Sequence, residues 1–199
     1  MAERINEIYS LLVPLVDGRL IIPRSCVAEV VGFQAPSEMT GAPPWYIGTV
    51  QWNGRHVPLV SFEGACGQNI PPASGRTRIV IFHCMGSRLE AGYFGVVSQG
   101  FPQLVRVSSD VVRPDNSRVF SERAPVICQV RMVNETPLVP DIERLEDMIA
   151  DETHAAYSPP RPSKSVSASP ARKRSTRVTW LAAAPSSVRR ACGVIAVST

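Results

Sequence analysis

The side chains best suited to chemistry are three histidines, His56, His83 and His154, and five cysteines, Cys26, Cys66, Cys84, Cys128 and Cys192. A thiol beside an imidazole makes a nucleophile and its base, and Cys26 or Cys128 with His56 would be the pair. The same groups hold zinc when their spacing is right, but no two cysteines stand in a Cys-x-x-Cys pair. His83 and Cys84 are adjacent within a stretch of strand character, where neighbours face opposite ways, so they do not form a site together. The phosphate-binding loop, the Gly-x-Ser-x-Gly elbow and the His-Glu-x-x-His helix are all absent from the sequence. Isolated thiols behave as small buried hydrophobes, the usage of a reducing cytoplasmic compartment. The expectation is a protein that is not an enzyme and uses no cofactor and no metal.

What remains is contact chemistry. Trp45, Tyr46 and Trp52 are the notable aromatics. Core packing accounts for most such residues, but Trp52 abuts a turn and is the one best placed to reach a surface, where aromatics anchor interfaces. Five acids, Glu143, Glu146, Asp147, Asp151 and Glu152, read as the solvated face of a helix whose apolar positions are Ile142, Leu145, Met148 and Ile149. Asp141 is placed to cap it.

The elements that must position these residues are mostly strands. "IYSLLVPL" and "RLIIP" flank Asp17-Gly18, and "YIGTVQW" and "RHVPLVSF" flank Asn53-Gly54; both dipeptides favour hairpin turns. Pairing across Asn53-Gly54 sets Trp52 opposite Arg55, Gln51 opposite His56, Val50 opposite Val57 and Thr49 opposite Pro58. Val50, Trp52, Val57 and Leu59 then share one face, and Ile47, Val60 and Phe62 the other. With both faces apolar, one should fill a barrel and the other should meet a second body. "SCVAEVVGF" continues a sheet or begins with a helical turn capped by Ser25; residues 63–78 read as a loop; "RIVIFHCM", "EAGYFGVVS" and "QLVRVS" read as strands. "APVICQVRMVNETPLVPDI" reads as a hairpin turning at Asn134-Glu135. "VQWNGRHVPLVSF" and "VRMVNETPLVPDI" share strand, turn and Pro-Leu-Val, which implies two similar halves of about 65 residues.

Charge divides the chain. Residues 1–152 hold 13 Lys+Arg against 17 Asp+Glu, a net of −4, whereas 153–199 hold eight basic residues and no acid. A basic tail on a barrel suggests nucleic-acid binding as an alternative, but the acidic body opposes it. No stretch has the roughly 18–20 apolar residues of a membrane helix, and the N-terminal residues do not form a secretory signal. Residues 153–199, rich in Pro, Ser and Arg, are expected to be disordered, with a weak helix near Trp180.

Residues 5–152 resemble the CheW-like coupling domains of bacterial chemosensory systems. The hairpin is similar to the family's Gly-x-x-Asn-x-Arg-Gly-x-x-x-Pro-x-x-Asp segment at Gly48, Gly54 and Pro58. "GVVSQGFPQLVRV" resembles its second glycine segment, and "PLVPDIERLED" its closing element with Asp141 and Leu145. Within the family, the likeness is to the accessory proteins of the type IV pilus twitching system. The resemblance implies two small five-stranded SH3-like barrels flanking a hydrophobic groove, with a short C-terminal helix. It implies a cytoplasmic adaptor that binds the regulatory domain of a CheA-type histidine kinase and the cytoplasmic tip of methyl-accepting chemoreceptors. The partner-binding set it implies is Ile47, Gly48, Val50, Trp52, Asn53, Gly54 and Gly95. The sequence departs from the family pattern at Gln51, at Asn53 (where the family's Arg meets the receptor), at Ser61, at Gln99 and at Cys128.

Overall fold

The computed structural model describes residues 7–108 and 110–157. The tail expected over 153–199, with its helix near Trp180, lies outside the described residues from 158 onward. Eleven strands are described: β1 (Ile8–Pro14), β2 (Arg19–Pro23), β3 (Val27–Gly32), β4 (Tyr46–Trp52), β5 (Arg55–Val60), β6 (Arg78–His83), β7 (Tyr93–Ser98), β8 (Gln103–Val107), β9 (Arg113–Asp115), β10 (Val126–Arg131) and β11 (Leu138–Pro140). A one-turn helix α1 (Phe62–Ala65) follows β5, and α2 (Ile142–Tyr157) follows β11. The last helix thus runs past the boundary expected at residue 152. A 3-10 turn, Arg24–Cys26, precedes β3; Ser25 lies inside it rather than capping it.

The strands form two sheets, β3-β6-β7-β5-β4 and β8-β1-β2-β11-β10-β9. Matched in these orders, the first five strands of each correspond, and the only parallel pairs among the described residues, β5 with β7 and β11 with β2, fall at the same place in both. The repeat in the sequence is therefore structural: β4–β5 corresponds to β10–β11, and each Pro-Leu-Val leads into its parallel ladder at Leu59↔Gly95 or Leu138↔Leu20. The halves are not consecutive segments of the chain, however. The first hairpin, β1–β2, joins the C-terminal strands, because its apolar residues complete that sheet. The second sheet also carries a short sixth strand, β9, beyond the five expected.

The register at Asn53-Gly54 is the expected one in all four pairs, and the turn places Asn53 at φ 47° and Gly54 at φ 73°, as a type I′ turn requires. Pro58 fits because nothing asks for its missing N–H. Its partner Thr49 gives its own N–H to Ser37 O (2.9 Å) and accepts from Ser37 N (2.8 Å) on the opposite side. Toward β7, the paired residues begin only at Leu59.

One expected facing is overturned. A bulge between Tyr46 and Gly48 inserts Ile47 as an extra residue, so the alternation reverses there. Ile47 packs with Val50, Val57 and Trp52, while Tyr46 packs with Val60 and Phe62. Gly48 sits at φ 142°, and a Cβ there would lie 2.3 Å from Ser37 O. β10 carries the matching bulge between Val126 and Cys128.

Three apolar layers result. Val50, Val57, Leu59, Ile79, Ile81 and Val97 fill the interior of the five-stranded sheet; Leu12, Ile21 and Val130 fill the six-stranded one. Between the sheets lies a third and larger layer, in which Val13, Leu20 and Ile22 meet Val60, Phe82, Phe94 and Val96. Leu145 and Ile149 of α2 join this layer, as the helical spacing predicts. The second body expected for the other apolar face is thus the other sheet of the same chain.

The acidic face of α2 is not wholly solvated. Glu146 is 2% exposed and accepts from the backbone N–H of Met85 (2.8 Å) and Gly86 (3.1 Å). It ties the β6–β7 connection to the helix, while Arg88 bridges Asp147 and Asp151. Asp141 caps α2 as expected, accepting from Arg144 N at 2.9 Å.

Two stability predictions follow from these contacts. Gly48→Ala should lower unfolding free energy by more than about 2 kcal/mol in urea titration, from the backbone clash and the positive φ together. Glu146→Ala should lower it by about 2 kcal/mol, the scale of hydrogen bonds to a charged acceptor, and should speed hydrogen exchange at Met85 and Gly86.

Candidate functional site

Contact with another body needs exposed apolar surface on a rigid frame, and the ends of the two sheets show where that surface lies. Four strands are terminal: β3 and β4 in one sheet, β8 and β9 in the other. The outer edge of β4 is covered, since Ser37 pairs with Thr49 and Gln34 Nε2 donates to Gln51 O at 3.0 Å. β9 is three residues long and contains Pro114. The terminal strands β3 and β8, by contrast, supply facing walls of a cleft of about 350 Å³.

The cleft is lined by Leu11, Val27, Val30, Phe101 and Leu104, with Arg24 and Glu29 as its charges. Phe101 is 67% exposed and Leu104 60% exposed, uncommon values for large apolar side chains grouped at one site. Leu104 stands opposite Leu11 in the β1–β8 register, so the apolar wall continues onto the neighbouring strand. Arg24 donates to Val27 O at 2.6 Å, which orients it along the wall.

Glu29 also reaches out of the cleft. Its carboxylate accepts from Trp52 Nε1 at 2.8 Å, joining β3 to β4 side chain to side chain. The Trp52 ring packs edge-on against Tyr93 (centroids 4.8 Å), and Arg55 lies 5.6 Å over Tyr93 while donating to Ala91 O. Cleft and hairpin turn are thereby connected by one set of contacts.

The partner-binding set expected from the sequence separates into two groups. Trp52 is half-buried and Asn53 and Gly54 are exposed at the turn. Ile47 is half-buried in the sheet interior, and Val50 is 3% exposed there. Gly48 is buried beneath Ser37, and a Cβ on Gly95 would press Ile79 Cγ2 at 2.9 Å. Gly48, Val50 and Gly95 therefore shape the frame and present no side chain outward. Substituting Gly48 with arginine would disturb the fold first, so it cannot isolate a contact. The cleft residues Phe101, Leu104, Val27 and Val30 were not singled out by the sequence reading. The available signal was apolar character on both faces of "QLVRV", a strand that the topology leaves at an edge.

The departures from the family pattern have local explanations. Ser61 caps α1, accepting from Gly64 N at 3.2 Å, the role an Asp fills equally well. Gln99 Nε2 donates to Glu63 Oε1 at 3.3 Å. Gln51 bonds the His56 ring on the exposed hairpin. Cys128 packs in the interior of the six-stranded sheet, so it makes no nucleophile pair with His56; Cys26 packs against the layer between the sheets. Burial, aided by the nearby Glu63 charge, pushes the Cys66 thiol up to about 11. Burial and then Glu146 push Cys84 up to about 12. Among the described residues no three His, Cys, Asp or Glu side chains are grouped to hold a metal, and no helix is long and apolar enough to cross a membrane.

A CheW-like domain family model matches residues 10–148 of the chain. The crystal structure of the scaffolding protein TtCheW from Thermoanaerobacter tengcongensis is similar to it with a TM-score of 0.57 at 14% sequence identity, over 67% of this chain and 88% of that one. At that identity the likeness concerns the fold. No curated protein matches the chain.

Thiol titration gives a direct check on the packing. Alkylation of Cys84 by iodoacetamide at pH 8 should be on the order of a thousandfold slower than for an ordinary thiol, because the thiolate fraction falls tenfold per unit of pKa. Its rate should keep rising through pH 10, read by peptide mass spectrometry, without the plateau of an unperturbed cysteine.

Proposed function

The chain belongs to the CheW-like domain family, and from this we propose that it is a non-enzymatic adaptor that couples chemoreceptors to a CheA-type histidine kinase by contact alone. The observation that carries the reading is the cleft between β3 and β8, with Phe101 and Leu104 exposed on a frame whose other edges are covered or short. A helical receptor tip fits such a cleft by laying an apolar stripe between its walls. The hairpin end, with Trp52 and Gly54, serves the regulatory domain of the kinase; Asn53 replaces the Arg that meets the receptor in the family, which leaves receptor contact to the cleft. Interfaces of this kind bury on the order of 1,000–2,000 Å² in total. We place the protein in the cytoplasm and in the type IV pilus twitching branch, following the sequence resemblance.

In this reading Glu29 matters twice, as a cleft charge and as the acceptor that holds Trp52. The two partners then meet surfaces that share a residue. The adaptor transmits by rigid connection and needs no turnover.

Phe101→Glu and Leu104→Glu should each weaken binding of a receptor cytoplasmic tip at least tenfold, since both place a charge on an apolar wall. Kinase regulatory-domain affinity should change less than threefold in the same proteins. Calorimetric titration with the two partners separates these outcomes; equal loss for both, or for neither, would reject the assignment of the cleft.

A further inference from the structure

A second cavity, of about 360 Å³, lies away from the cleft. One wall is the segment between β3 and β4, contributing Glu38, Met39, Pro43 and Pro44; another is the connection after α1, contributing Ile70 and Pro71. Ser61 and Gln99 line it too. Its walls are braced. Ser37 exchanges two backbone hydrogen bonds with Thr49, Tyr46 N donates to Pro43 O at 2.9 Å, and Ser61 N donates to Trp45 O at 2.8 Å. Proline fixes the backbone on both sides. A ligand entering would find the site formed and would lose little to ordering it.

The polar chemistry of this cavity has one sign. Among the described residues lining it, Glu38 is the only charged one, and none is Lys or Arg. Behind the wall Glu63 is 1% exposed. It accepts from the Ser61 hydroxyl at 3.0 Å and from Gln99 Nε2 at 3.3 Å. The Ser61 proton and a Gln99 amide proton are therefore turned inward; the Ser61 oxygen already accepts from Gly64 N, and the Gln99 carbonyl oxygen remains as an acceptor. Tyr46, which also lines the cavity, has a buried hydroxyl with no hydrogen-bond partner among the described residues. Such a group is rare in a settled core. Acceptors, a carboxylate and hydrocarbon walls together suit a donor-rich cation on an apolar body.

We propose that this cavity binds an alkylammonium or alkylguanidinium group, with the cation against Glu38 and Gln99 and the hydrocarbon against Met39, Ile70 and Pro43. The group is either a free amine or the side chain of a lysine or arginine on another polypeptide. The site is separate from the cleft and does not depend on the adaptor reading.

The test uses the full chain and three probes of matched length: hexylammonium, hexanoate, and a blocked peptide carrying one lysine among apolar residues. Binding is read by amide chemical shifts at Ile47, Ile70 and Ala73 and by calorimetry. Saturable binding of hexylammonium or of the peptide, with hexanoate inert and Glu38→Gln weakening affinity at least fivefold, supports the proposal. The tighter of the two cationic probes identifies the source. Glu38 is exposed on a loop, so the variant should keep its fold, checked by circular dichroism. Absence of binding by both cations, equal binding of hexanoate, or unchanged affinity in Glu38→Gln would overturn it.

Discussion

The layer of side chains between the two sheets is the constraint on which the molecule depends. Each sheet is apolar on both faces, so each must cover one face by curling and the other by meeting its counterpart. Val13, Leu20 and Ile22 from one sheet and Val60, Phe82, Phe94 and Val96 from the other are each at most 1% exposed. Removing water from both faces at once is what a strand of continuous apolar residues achieves, and it accounts for runs such as Ile79–Phe82. It also accounts for the exchange of the β1–β2 hairpin into the sheet of C-terminal strands. That exchange ties the first and last described elements together, and α2 seals the junction with Leu145 and Ile149.

Given that frame, the management of strand edges decides where contact can occur. Unpaired edges invite association, and proteins usually cover, shorten or interrupt them. Here the edge of β4 is covered by Gln34 and Ser37, and the edge of β9 is short and holds a proline. The close approach of Ser37 is possible only because residue 48 has no Cβ. The glycine thus protects an edge, and a role in binding would be indirect. The two terminal strands not treated this way, β3 and β8, flank the cleft where Phe101 and Leu104 are exposed.

The polar groups follow the same logic. Glu146 and Glu63 are buried carboxylates that accept from backbone or neutral side-chain donors, and both fix loops. Cys66, Cys84 and Cys128 are placed where burial opposes the thiolate. These buried groups thus act on position within the frame.

How much of this was legible beforehand differs from element to element. The strands other than β9, both Gly-containing turns, the register at Asn53-Gly54 and the cap at Asp141 could be read directly, because turn stereochemistry, alternation and capping act within a few residues. The repeat was legible too, through Pro-Leu-Val. The facing of Ile47 was not, since a bulge is set by what docks against the strand, here Ser37. The burial of Glu146 was hidden because its partners, Met85 and Gly86, lie some sixty residues away. The cleft was hidden for the same reason: β3 and β8 are far apart in the chain, and only the order of strands makes each an edge. The sequence by itself determined which segments are strands and that both faces seek burial. Tertiary structure alone decided which faces meet and which edges stay open, because those are choices among distant partners that local preference cannot rank.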